Sequence, residues 1–222
     1  KDFWKIPQVS FILVIYFVSF FALNLQSINI PLHFQGSLGW NALEVGIFFA
    51  ISSVVMMIVQ GPVLRRMTGK VSDRWIAVMG NIALAASCVF LFLRDDYWLF
   101  AAALSLGVGQ GWIMPSLQSV ISKLAGSELQ GTAQGAIASA GAVAGTVGYM
   151  SGGAIYSVIG DAVFLVAAGI AAVAATPPIL AAFVISIFGM FVVFKLRPSP
   201  KFDKDHAQVQ TNLGTYIQPT DH

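Results

Sequence analysis

Apolar residues occur in long blocks separated by short polar stretches, and most blocks are close to the roughly 20 residues a helix needs to cross a bilayer. The first runs from about Ser10 to Pro31, inside a stretch with no charge between Lys5 and Glu44. Pro31 and the run Gln35-Gly36-Ser37-Leu38-Gly39 are expected to break it. Asn41, with Glu44 three positions later, carries the signature of a capped helix start. A second block spans about Leu43 to Leu64, with Gly61, Pro62 and Gly69 as expected breakers. A third spans Trp75 to Leu93, a fourth Trp98 to Ser122, and a fifth Gly131 to Ile159.

The sixth block, Ala162 to Phe194, is too long for one straight crossing of about 30 Å of hydrocarbon and slightly short for two. A single crossing with a kink or break at Thr176-Pro177-Pro178 is the preferred solution, because consecutive prolines remove two backbone donors. The expected fold class is an all-α membrane protein. It places a six-helix transmembrane domain over residues 1–197 and a polar cytoplasmic tail over 198–222.

Charge fixes the expected orientation. In a six-crossing arrangement, every one of the 12 basic residues except Arg94 falls on the face that holds both termini. That asymmetry places both termini in the cytoplasm of a plasma (inner) membrane, or on the matrix or stromal side in an organelle. Composition supports the same class: 57% of residues are hydrophobic, 10% are charged, and the mean hydropathy is +0.78. A soluble domain carries about a quarter of charged residues. A net charge of +2 with basic residues confined to connections argues against nucleic acid as a partner. A single cysteine, Cys88, precludes an intrachain disulfide, and His33, His206 and His222 are scattered, so no metal or cofactor is expected. A chain that opens at Lys1 without a secretory signal fits the interior of something longer.

Glycines recur at four-residue spacing: Gly107 with Gly111, Gly131 with Gly135, Gly141 with Gly145, and Gly148 with Gly152. This spacing lets helix backbones approach closely in lipid, as static packing or as a sliding surface. Polar residues within the blocks are few, notably Asn24, Gln26, Gln60, Asn81, Gln110, Gln118, Ser119 and Gln134. Each needs either an interhelical hydrogen bond or a wet cavity. Asn24, Gln26, Gln110, Trp112 and Gln118 are the candidates for a substrate cavity, and no acid or base falls at mid-depth to act as an ion relay. Paired carboxylates, a phosphate-binding loop and a nucleophile elbow are all missing, which argues against an enzyme.

The run Gly61-Pro62-Val63-Leu64-Arg65-Arg66-Met67-Thr68-Gly69-Lys70 resembles the basic loop between the second and third helices of a major facilitator superfamily half. The stretch Gly107-Val108-Gly109-Gln110-Gly111, with Pro115, Ser119 and Ser122, is similar to the fourth helix of the C-terminal half in drug and metabolite exporters. Gly131, Gly135, Ser139, Gly148, Gly152-Gly153 and Tyr156 are similar to the fifth. Arg65 stands where the loop often has Asp, and Tyr149 where the fifth helix often has Pro.

The resemblance implies one six-helix half of a twelve-helix transporter, with a small-molecule cavity between the halves and secondary active, proton-coupled export as the activity. Arg65, Arg66, Lys70 and Arg74 would gate or orient the cytoplasmic face. The expected partners are the lipid bilayer, a small-molecule substrate and a second half, supplied by the same polypeptide, a second copy or a partner subunit. The alternative is a non-transporting structural subunit of a larger membrane complex.

Overall fold

The computed structural model describes residues 3–93 and 95–176. After a short 3₁₀ turn, α1 runs from Pro7–Ser37, and Asn41 opens α2, Ala42–Ile58. The Asn41 side chain accepts from the backbone of Leu43 and Glu44, while Glu44 accepts from the backbone of Asn41, completing the capping box. A π-helical turn, Val59–Val63, joins α2 to the short α3, Leu64–Met67. Helix α4 covers Asp73–Leu93, α5 Asp96–Ala125, α6 Gln130–Ile159 and α7 Ala162–Ala175.

Two expected breaks are absent. Pro31 lies inside α1, which continues to Ser37, so the loss of one backbone donor is absorbed without ending the helix. Gly61 and Pro62 fall in the π-helical turn, whose wider ring relieves the clash between the proline ring and the preceding carbonyl. The span of Ala42–Met67 is therefore continuous. It stops only near Gly69, at a φ of +83° that suits glycine.

Five helices are long and apolar enough to cross a membrane among the described residues. The sixth block is represented by α7, whose 14 residues cover only about 21 Å at 1.5 Å each. Thr176 follows in extended geometry, φ −99° and ψ 149°, as a residue before proline should be. The remainder of the block and the tail of 198–222 lie outside the described residues.

The helices assemble around one core. Helix α4 packs chiefly on α5 and α7, α1 on α6 and α7, and α2 on α5. Leu25, Ile30 and Phe34 of α1, Leu84 and Leu91 of α4, and Leu106, Ile113 and Ile121 of α5 are buried there. Alanines at 167, 168 and 171 let α7 lie close against its neighbours.

Two polar ties define the ends of the bundle. At one end Asp73, opening α4, accepts from Ser119 at 2.7 Å and pairs with Lys123 at 2.5 Å on α5, while Arg74 reaches Gln8 of α1. At the other end His33 of α1 meets Asp161 in the α6–α7 turn. Helices consecutive in the chain thus run in alternating directions, while the packed pairs α1–α6 and α2–α5 run parallel, and the basic loop shares the first end.

Candidate functional site

Helix α1 carries two polar groups on different sides. Ser19, Gln26, Asn29, His33 and Ser37 repeat at intervals of three, four or seven and so form one stripe along the helix. Asn24 lies nearly opposite. It donates to the Phe20 carbonyl at 2.6 Å and faces the glycine side of α6, where a Cβ on Gly148 would stand 3.0 Å from its own.

On the stripe, Gln26 is fully buried and donates through Nε2 to Ser87 Oγ of α4 at 2.6 Å, joining α1 to α4 across the core. Asn29 donates to the Leu25 carbonyl at 2.7 Å. The Gln26 Oε1, Asn29 Oδ1 and Ser19 Oγ atoms are buried without a hydrogen-bond partner. Such atoms are costly unless water reaches them, so the stripe is the most polar interior line among the described residues.

Helix α5 presents three faces. Gly107 and Gly111 lie against α2: a Cβ on Gly107 would come within 2.4 Å of the Ser52 carbonyl oxygen, and one on Gly111 within 3.0 Å of Val59. Gly109 lies against Gly80 and Leu84 of α4, and the Cβ of Trp112 borders Gly80 from the same side. The indole Nε1 of Trp112 is buried and unpartnered. Gln110 and Gln118, eight residues apart, share a third, half-buried face with Met114. The five cavity candidates therefore split. Gln26 and Trp112 point toward α4, Asn24 toward α6, and Gln110 with Gln118 along an accessible face of α5.

Helix α6 divides its glycines by face. Gly141, Gly145, Gly148 and Gly152 lie against Tyr16, Phe20, Asn24 and Ile28 of α1. Gly131, Gly135 and Gly153 have no neighbour within 4 Å. They belong to an exposed side that also carries Ala138, Ser139, Ala142, Thr146 and Tyr149, while the exposed Gln134 continues the row of Gly141.

A family model described as Major Facilitator Superfamily matches residues 12–216, nearly the whole chain. The chain belongs to the Major Facilitator Superfamily. The tetracycline resistance protein, class B, of Escherichia coli is 28% identical over 146 residues, covering 66% of this chain and 36% of that protein. The chain spans about a third of the length of that curated relative. No solved structure matches the chain significantly.

Membership of this superfamily, with five helices fit to cross a bilayer, makes the chain an integral multi-pass membrane protein. Its basic loop is exposed: Arg65 and Arg66 lie within α3, Lys70 follows Gly69, and Arg74 is the second residue of α4. Arg74 reaches Gln8 at 3.4 Å, while Arg65, Arg66 and Lys70 make no side-chain hydrogen bond or ion pair among the described residues. An apolar groove of about 630 Å³ opens above this end, walled by Phe11, Ile15, Trp75, Val78 and Leu117, and reaches Thr176.

Sequence reasoning overlooked the pair at the other end. His33 is fully buried, and its Nδ1 is 2.6 Å from Oδ1 of Asp161, whose carboxylate also accepts from Tyr156 at 3.2 Å and Ser37 at 3.2 Å. One signal was present: His33 stands seven residues after Gln26 and four before Ser37, in register with the polar stripe.

Proposed function

We propose that this chain acts as the C-terminal six-helix half of a membrane transporter that exports a small molecule by secondary active, proton-coupled transport together with a second half. One observation carries the proposal. The exposed side of α6 carries Gly131, Gly135, Ala138, Ala142 and Gly153 with Ser139, Thr146 and the half-exposed Tyr149, and exposed Val143, Val147 and Met150 flank this strip of mostly small residues. Lipid neither fills the gaps left by such small residues nor satisfies the polar ones, whereas another helix does both. The efflux role is supported by the name of the Escherichia coli relative, a tetracycline resistance protein.

In this reading Gln110 and Gln118 face the substrate cavity between the halves, with Asn24 at its margin near α6. Gln26 and Trp112 hold the wall from behind, through α4. The concentration of basic residues at the Asp73 end favours a cytoplasmic location for that end in the plasma membrane. There Arg65, Arg66, Lys70 and Arg74 retain the orientation and meet the second half during the cycle.

Cysteine labelling in a Cys88→Ala background tests the cavity and the orientation together. Gln110→Cys and Gln118→Cys should react with a small, charged, membrane-impermeant thiol reagent, while the exposed apolar position Ile82→Cys should not. Gln35→Cys should react in intact cells and Lys70→Cys only after lysis. Gln110→Cys as inert as Ile82→Cys would remove the cavity, and the reverse pattern at Gln35 and Lys70 would invert the chain.

A further inference from the structure

Two turns from the Gln26–Ser87 bond, toward the basic loop, the core holds a second group of polar side chains, each with an unsatisfied atom. Helices α1 and α4 run parallel, so stepping back seven residues on each leads from Gln26 to Ser19 and from Ser87 to Gly80, with Asn81 beside it. Helix α5 brings Trp112 to the same level, because its Cβ would lie 3.1 Å from a Cβ on Gly80. Ser116 stands one turn nearer the basic loop on the same face of α5. Ser19, Asn81 and Ser116 are each at most 3% exposed. The Ser19 and Ser116 hydroxyls, Asn81 Oδ1 and Trp112 Nε1 are buried without a hydrogen-bond partner among the described residues.

Local bonding does not account for these atoms. Helical serines can turn the hydroxyl back onto a carbonyl four residues earlier, as Ser52 and Ser151 do here at 3.1 and 2.6 Å. Ser19 and Ser116 make no such bond. The Asn81 amide nitrogen donates to the Ala77 carbonyl at 3.0 Å, which leaves its oxygen as an acceptor with no donor. The four atoms comprise one obligate donor, one obligate acceptor and two hydroxyls that do either, yet no two of them bond one another. Water, which makes about three hydrogen bonds in buried sites, meets that set.

We propose that Ser19, Asn81, Trp112 and Ser116 form an internal water site, in which ordered water bridges α1, α4 and α5, and that the apolar groove at the basic end is its inlet. The groove of about 630 Å³ has Gln8 and Arg74 nearest the loop, and Asn81 is the residue of α4 in its lining farthest from it. Ile15 lies one turn before Ser19, and Leu117 adjoins Ser116, so on all three helices the lining reaches the level where the polar atoms begin. Apolar walls hold no water of their own, so ordered molecules collect at the polar end.

This inference does not rest on transport or on a second half, because it is read on the chain's own indole. The full chain is labelled with ¹⁵N and placed in nanodiscs of deuterated lipid, and magnetisation transfer from water to the five indole N–H groups is followed, with Trp112→Phe identifying the Trp112 signal. Trp112 should receive magnetisation several times faster than the backbone N–H of Leu106, which is buried in the same helix. Asn81→Leu should return Trp112 to the Leu106 rate, whereas water in a cavity between two halves would be indifferent to that change. In a Cys88→Ala background, a bulky thiol adduct on Gln8→Cys should slow exchange of the Trp112 indole proton for deuterium, and the same adduct on Ile82→Cys should not. A Trp112 rate equal to that of Leu106 in the parent chain, or one unchanged by Asn81→Leu, would overturn the water site. An exchange rate untouched by the Gln8→Cys adduct would overturn the inlet. If Asn81→Leu fails to fold, Ser19→Val takes its place with the same expected loss.

Discussion

At the scale of single residues, the bundle is held by a few buried polar contacts whose worth lies in what their loss would leave behind. Gln26 is the clearest case, since its Nε2 bond to Ser87 is the satisfied half of a side chain whose Oε1 already lacks a partner. Ser87→Ala strips the remaining bond and leaves a buried amide with neither end paired. The expected loss is about 1–3 kcal/mol, measured as a lower thermal midpoint in detergent beside the parent chain. Ser87→Ala combined with Gln26→Leu should recover part of it; no recovery would show that the pair contributes little. Gln26 could be noticed from sequence because an amide in an apolar block is conspicuous. Ser87 could not, because serine is common in membrane helices and only the α1–α4 approach gives it a role. The same reason hid Asp161, which in the sequence merely bounds two apolar blocks and becomes a buried partner only once α1 lies beside it.

At the scale of helices, close approach is set by where glycine meets a neighbour. Gly107 has no space for a Cβ, because the obstacles are the Ser52 carbonyl at 2.4 Å and Val55 at 2.7 Å. Gly107→Ala should therefore push α2 from α5 and cost about 1–3 kcal/mol. Gly135 meets nothing within 4 Å. In the isolated chain Gly135→Ala should gain up to about 1 kcal/mol of helix propensity. Thermal unfolding of both variants checks the pair, and a stabilised Gly107→Ala would refute the α2–α5 contact. Four-residue spacing identifies candidate contact glycines, but it cannot say which face is covered, so Gly131 and Gly135 look identical to Gly141 and Gly145 in sequence. Helix ends were legible where a local motif sets them, as at Asn41 and Glu44. They were misread at Pro31 and Pro62, where the surrounding helix and a π-helical turn accommodate the ring.

At the scale of the whole molecule, the all-α membrane bundle was legible because block length and hydropathy respond to the bilayer itself, with no knowledge of packing required. The division of labour between faces was not legible, since it depends on which sides of α5 and α6 their neighbours leave open. Those open sides give the account its central claim, that α6 is covered by a second transporter half. The direct measurement is oxidative cross-linking of the membrane-embedded chain, with Cys88→Ala and a single cysteine at Ser139 or, as the control, at Ile82 on the exposed apolar side of α4. Ser139→Cys should be trapped in a disulfide with a cysteine scanned along a second six-helix half, whether a second copy or a co-expressed partner, while Ile82→Cys stays monomeric. If Ser139→Cys remains monomeric and reacts with a lipid-soluble thiol reagent as freely as Ile82→Cys, α6 faces lipid and the chain is not half of a two-part transporter.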